Sequence, residues 1–157
     1  MDLQPCDGCG ERGFSGRSAV VIVDGVLCSR YTGSCRRCGL PREFTFRLPD
    51  EISLPVGPDV SFGGPEPSEL LDPGEWLMVA DLAAKGAADA SDLRLAAAAT
   101  DEAIKFIPET ADRVPPEAIR SVDGQRIYAE DPGRFLRRRL EAVAATYREL
   151  ASRFPSS

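Results

Sequence analysis

Near its start the sequence reads Cys6-Asp7-Gly8-Cys9-Gly10, and the same C-x2-C-G pattern returns as Cys35-Arg36-Arg37-Cys38-Gly39. Four thiolates supplied as two such pairs match the tetrahedral coordination that Zn²⁺ prefers. The glycine after each second cysteine can adopt positive φ, which lets backbone amides turn toward the sulfurs. The spacing therefore predicts one closed, structural Zn²⁺ per chain. Its ligands would be Cys6, Cys9, Cys35 and Cys38.

Three short strands are expected around these two knuckles. Residues 18–23 and 26–31 are rich in β-branched and apolar side chains, and Asp24-Gly25 between them is a strong hairpin signal. Residues 43–48 alternate polar and apolar until Pro49. The order knuckle, hairpin, knuckle, strand predicts a three-stranded antiparallel sheet built on the metal site, over residues 1–48.

Residues 5–48 resemble the zinc-ribbon group, through Cys6-x2-Cys9-Gly10 and Cys35-x2-Cys38-Gly39 placed around a hairpin. The knuckles are also similar to those of rubredoxin, although the prolines and aromatic residues usual there are missing. That second likeness implies Fe in a rubredoxin-like site as the alternative metal. The whole chain is similar in layout to actinobacterial zinc-ribbon proteins without an assigned activity. The resemblance implies a fold and a metal but no activity, because zinc ribbons serve transcription, ribosomes and enzymes alike.

The second half of the chain has helical signals. Residues 49–74 hold six of the 13 prolines, so 49–72 is expected to be a Pro/Gly-rich connection, either a linker or a binding element. Asp72-Pro73-Gly74-Glu75 predicts a helix start, and Gly86 its end. Ser91-Asp92 is expected to cap a second helix that stops at Pro108. Residues 115–117 suggest a short turn, and 122–125 a turn or a small hairpin.

The last helix is predicted to start at Asp131-Pro132-Gly133-Arg134 and to run to Phe154. Its apolar residues are spaced four, three, four, three and four apart, which is typical of a helix packed along its length. We expect this seam to pack on the two earlier helices, with a dimer through it as the alternative. The seam comprises Leu136, Leu140, Val143, Tyr147, Leu150 and Phe154. The predicted fold class is α+β, a four-cysteine zinc ribbon followed by a small helical part, residues 73–157, with three main helices.

Charge is divided unevenly along the chain. The net charge is −6, with +1 over residues 1–50, −11 over 51–131 and +4 over 132–157. The acidic middle disfavours wrapping around a phosphate backbone. The last helix carries arginines in its first half, where the helix dipole prefers acids. They are expected either to pair with the acidic middle or to project from one face toward an anionic partner. The candidate partner-binding residues are Arg134, Arg137 and Arg138, together with Arg36 and Arg37 on the second knuckle.

Three function classes remain open. The chain has no histidine, which removes Cys–His and Ser–His nucleophiles, and it has no phosphate loop or metalloprotease motif. Cys28 is expected to be a buried structural thiol. The leading hypothesis is a non-enzymatic cytoplasmic protein that acts through another protein, as an adaptor or a neutraliser, without a membrane. The alternative is a nucleic-acid-associated accessory protein using arginines of the ribbon, among them Arg30 and Arg42, or of the last helix. An enzyme with a carboxylate-only site, framed by residues 62–71, comes third.

Overall fold

The computed structural model describes residues 4–49 and 60–154. The chain divides into two compact units, Met1–Ile52 and Ser53–Ser157, which we call the ribbon unit and the helical unit. A three-stranded antiparallel sheet followed by helices confirms the predicted α+β class. The predicted connection over 49–72 lies partly outside the described residues. Within the described parts of the chain, no helix is both long enough and apolar enough to span a bilayer.

The ribbon unit is one antiparallel sheet in the order β1-β2-β3. The strands are β1, Phe14–Val23, β2, Val26–Cys35, and β3, Pro41–Arg47. β1 and β2 extend further toward the knuckles than the sequence pattern predicts. The predicted hairpin turn is confirmed, because Asp24 and Gly25 both have positive φ, 50° and 80°. Two positive φ values define the type I′ turn, which matches the twist of the strands it joins.

One face of this sheet carries an aromatic row, Phe14, Tyr31, Phe44 and Phe46. The Phe14 and Phe44 rings meet edge to face at 5.4 Å, and Phe46 lies 6.4 Å from Phe44. The guanidinium of Arg42 sits 4.9 Å above the centre of the Phe44 ring, a cation–π geometry. These rings are only half-buried. A core this thin buries little apolar surface, and domains this small are usually stabilised by a metal, disulfides or oligomerisation.

The described part of the helical unit has four α-helices rather than three main ones. They are α1, Pro73–Lys85, α2, Ala90–Ile104, α3, Val122–Glu130, and α4, Arg137–Ser152. The expected turn or hairpin at 122–125 is wrong: these residues form the first turn of α3. Ser121 caps that helix, its Oγ accepting from the backbone N–H of Gly124 at 3.0 Å.

Two other helix starts differ from the prediction. α2 begins earlier than expected, because Asp89 rather than Ser91 is the cap and accepts from the N–H of Ser91 at 2.7 Å. α4 begins at Arg137 rather than after Asp131, since Pro132–Phe135 forms a separate 3-10 turn. The short turn expected near 115–117 is confirmed as the 3-10 turn Pro116–Ala118.

The core of the helical unit forms around α1 and α2, and the segment after α2, α3 and the turn before α4 also contribute to it. α4 packs on α2, one of the two earlier helices expected to contact it. Its buried stripe is Leu140, Ala144 and Ala151, whereas Leu150 and Phe154 are 38% and 37% exposed. The small residues on both helices let the backbones approach closely, so the contact follows alanines rather than the largest side chains. The buried cluster comprises Trp76, Leu77, Ala80, Ala99, Ala103, Ile107, Val114, Ile119, Ile127, Phe135 and Leu140.

A buried carboxylate joins the starts of α1 and α3. Asp72 is 1% exposed and forms the predicted capping box with Glu75, whose backbone N–H it accepts at 2.9 Å. Its other oxygen accepts the backbone N–H groups of Arg120 at 2.8 Å and Ser121 at 2.6 Å. The same carboxylate therefore stabilises two segments that are 48 residues apart in sequence.

The described end of the Pro/Gly-rich connection packs on the helices. The ring of Phe62 lies 4.8 Å from that of Trp76, and Lys105 Nζ donates to the carbonyl of Gly64 at 2.6 Å. From residue 60 onward the chain therefore packs on the helices of this unit and is not a linker without tertiary contacts.

Candidate metal centre

The four predicted ligand sulfurs converge at one end of the ribbon sheet. The sulfurs of Cys6 and Cys38 are 3.6 Å apart, as are those of Cys9 and Cys35. All four lie within 4.8 Å of one another. Bonds of about 2.3 Å in a regular tetrahedron place sulfurs about 3.8 Å apart. The cluster therefore already has nearly the dimensions that a four-coordinate metal ion requires, and the distances exclude a disulfide, whose sulfurs are about 2.05 Å apart.

The two knuckles have the same backbone hydrogen bonds. Cys6 donates to the carbonyl of Glu11 and Cys35 to that of Leu40, both at 2.9 Å. In each knuckle the glycine after the second cysteine, Gly10 or Gly39, also donates back to the carbonyl of the first. These glycines have φ of 70° and 73°, a conformation in which a side chain would be strained. The predicted positive φ of the two glycines is confirmed, and their own N–H groups bind carbonyl oxygens of the knuckles.

Backbone N–H groups act to lower the pKa values of two of the thiols. The N–H of Cys38, helped by that of Arg37, outweighs burial and lowers the pKa of Cys35 from 9.0 to about 6. The N–H of Glu11 lowers the pKa of Cys9, but burial and the three neighbouring thiols raise it to about 12. One thiolate therefore forms readily, and a second beside it does not until a cation compensates the charge.

The centre has the character of a closed structural site. Cys6 and Cys35 are 3% and 2% exposed, whereas Cys38 is exposed at the rim. Four protein ligands would fill a tetrahedral coordination sphere, so a water or substrate would have no place on the ion. The arrangement suits stabilisation of the fold and not catalysis.

Cys28 does not belong to this cluster. It lies on β2 seven residues before Cys35, about 23 Å away along an extended strand. In the sheet it pairs with Val21 on one side and Arg47 on the other. It is 6% exposed, which agrees with the expected buried thiol.

The knuckle arginines lie close to the metal centre. Arg36 and Arg37 are exposed, and both help to lower the pKa of Glu11, after the N–H groups of Gly13 and Arg12. They also place positive charge beside a site that carries two net negative charges when four thiolates hold a divalent cation.

The arginines just before α4 and in its first turn differ in their contacts. Arg134 binds both carboxylate oxygens of Asp81 at 2.8 and 2.9 Å, and Arg139 binds Asp131 at 2.9 Å. Arg137 donates to the carbonyls of Ile107 and Pro108, at 3.2 and 3.1 Å. Arg138 is exposed.

The expectation that Arg134, Arg137 and Arg138 share one face is wrong. Arg134 lines a cavity with Arg139 and Tyr147, whereas Arg137 and Arg138 line another groove. The separation arises because the 3-10 turn breaks the helix between them. Sequence reasoning also missed Asp81 as the partner of Arg134. An acid 53 positions away leaves no local signal.

No family model, curated protein or solved structure matches this chain. The resemblance to actinobacterial proteins thus gains no support from known proteins. The zinc-ribbon likeness rests on the cysteine cluster and its two knuckles.

Proposed function

We propose that the ion is Zn²⁺ with a structural role, and that the protein is a non-enzymatic adaptor or neutraliser that binds another protein. Zinc has no redox chemistry and favours four thiolates in a tetrahedron. Elemental analysis should find one zinc per chain, and a visible absorption band would instead indicate iron.

The groove beside the first turn of α4 is the observation that favours a protein partner. It encloses about 570 Å³ and contains both signs of charge. Arg138 is exposed in the groove wall, close to three acids whose negative charges would repel a phosphate backbone. A protein surface with complementary charges fits it better. The lining residues are Glu109, Ala111, Asp112, Arg113, Leu136, Arg137, Arg138 and Glu141.

The groove keeps its shape through hydrogen bonds that do not use Arg138. Arg137 donates to carbonyls at the end of the α2 segment, and its own N–H donates to the carbonyl of Asp112 at 2.8 Å. Val114 likewise donates to the carbonyl of Phe135 at 3.0 Å. Arg138 can therefore be changed without removing these contacts, which makes it the best test residue.

The experiment is a pulldown from the native cytoplasm with purified, zinc-loaded protein, followed by rebinding of the recovered partner in purified form. Arg138→Glu should weaken binding at least tenfold, whereas Lys85→Glu, an exposed cation at the end of α1, should not. A partner that binds both variants equally would place the contact elsewhere and contradict the proposal for this groove.

A second candidate, a nucleic-acid-associated accessory protein, is favoured by the ribbon surface. Arg42 stacks on the rings of Phe14 and Phe44, and single-stranded nucleic acid binds to aromatic rings framed by arginines. Arg36 and Arg37 lie exposed on the neighbouring knuckle. Salt-sensitive binding of RNA or DNA, with no protein recovered in the pulldown, would favour this candidate over the first. The carboxylate-only enzyme stays a prediction.

A further inference from the structure

The two edges of the ribbon sheet are built differently. β3 carries a proline at its start and the charged residues Arg42, Glu43 and Arg47, which are the usual protection of an exposed edge. Residues 18–23 of β1 contain no charge, proline or glycine. The pairing of β1 with β2 runs without a break from Phe14 to Val23, so no bulge turns this edge aside. The β3 edge is thus protected against pairing with a further strand, whereas residues 18–23 of the β1 edge are not.

The unprotected part of β1 also exposes large apolar side chains. Val20 is 66% exposed and Ile22 73% exposed, and the alternation of the strand places both on the same face. Leu27 pairs with Ile22 across the hairpin and is 50% exposed. The three form an uncharged patch that reaches the outer edge of the sheet, a feature typical of an interaction surface.

The hairpin turn fixes which backbone groups point outward. In a two-residue hairpin the closing pair, Val23 and Val26, exchanges both of its hydrogen bonds. The pattern alternates from there, so the N–H and C=O groups of Ser18, Val20 and Ile22 point away from β2. Among the described residues no strand pairs with this side of β1. The apolar side chains and the outward backbone groups therefore belong to the same residues.

We propose that this edge pairs with β1 of a second copy of the chain, antiparallel around a twofold axis at Val21, to make a continuous six-stranded sheet. In this register Val20 lies opposite Ile22 of the second copy, and each such pair exchanges two hydrogen bonds. Because the axis maps each face onto itself, the two apolar patches merge into one. An antiparallel pair of identical strands is self-complementary, as a closed dimer requires.

A second copy is favoured over an unlike partner by the chemistry of the strand. A strand that pairs here lies against the uncharged residues 18–23, so it must itself be free of charge over the same length. The β1 strand of a second copy meets this requirement because its sequence is identical. Pairing would also bury the β-branched run, which is otherwise a segment prone to uncontrolled association. A closed pair leaves the protected β3 strands as the two outer edges.

Sedimentation equilibrium of the full, zinc-loaded chain tests the proposal. The wild type should have twice the chain mass of 16.9 kDa. Val20→Lys combined with Ile22→Lys should be monomeric, because the introduced ammonium groups would face each other across the axis. Val20→Glu combined with Ile22→Lys should restore the dimer, because each introduced acid then faces an introduced base. Leu82→Lys, on α1 and 66% exposed, is the matched control and should stay dimeric.

Three outcomes would overturn the proposal: a monomeric wild type, a dimer that survives the double-lysine change, or a charge-swapped variant that stays monomeric. The second would point to α4 as the dimer contact. Circular dichroism and zinc content establish whether each variant is folded. Amide hydrogen exchange of the wild type gives a test without any substitution. The N–H groups of Val20 and Ile22 should exchange slowly in the dimer, and fast exchange of both would contradict the pairing.

Discussion

Replacing Asp72 by alanine should destabilise the helical unit more than any other single change at a helix cap. Its carboxylate is 1% exposed and accepts three backbone N–H groups, those of Glu75, Arg120 and Ser121. Alanine leaves all three without this acceptor. Because the side chain is buried between two helix starts, water cannot easily take its place.

The magnitude follows from these three contacts. Loss of the α1 cap costs about 1 kcal/mol. Each of the two further N–H groups, if buried and unpaired, costs about 1–3 kcal/mol. The expected loss is therefore about 3–7 kcal/mol, against a total stability of about 5–15 kcal/mol for a typical domain. Asp72→Ala should thus leave the helical unit marginally folded.

Urea denaturation followed by tryptophan fluorescence measures this loss. The chain has a single tryptophan, Trp76, which lies in α1 and is 6% exposed, so the signal reports on the helical unit. Asp89→Ala is the matched control, because Asp89 caps α2 with the same chemistry but is exposed to solvent. The reasoning is refuted if Asp72→Ala lowers the midpoint no more than Asp89→Ala does.

The remaining predictions concern the metal, a close helix contact and one half-buried acid. Cys35→Ser should release zinc and unfold the ribbon, whereas Cys28→Ser should keep a full equivalent by elemental analysis; zinc loss from both would contradict the ligand set. Because protons compete with the metal for all four thiolates, zinc affinity measured against a chelator should fall as the pH is lowered. Gly124→Ala would place a Cβ 2.8 Å from the buried cap carboxylate, so its urea midpoint should fall, whereas Gly64→Ala, with no atom within 4 Å, should not change it. Burial raises the pKa of Glu75 above 4.5, so ionising this side chain lowers the stability of the folded state as the pH rises. Glu75→Gln should therefore raise the urea midpoint at neutral pH but not at pH 4. A gain of equal size at both pH values would exclude this cause.

Much of the ribbon could be predicted because its signals are local. The two C-x2-C-G knuckles, the turn at Asp24 and the alternation in β3 each depend on neighbouring residues, and the metal cluster follows from bringing such pairs together. The capping box of α1 is local in the same way. The start of α4 was misplaced, because the Pro132 segment carries the same cap letters but forms a 3-10 turn instead.

What the sequence determined by itself is therefore the four-cysteine cluster, the hairpin and the first helix cap. The tertiary structure alone decided which residues meet across the chain. It pairs Arg134 with Asp81 and separates Arg134 from Arg137, and it turns the Asp72 cap into a link to the start of α3. It also buries Ala144 and Ala151 of α4 beside Leu140 and leaves Leu150 and Phe154 partly exposed. The physical reason is range: caps, turns and knuckles depend on atoms a few residues apart, whereas ion pairs and close helix contacts depend on distances that only the folded chain sets.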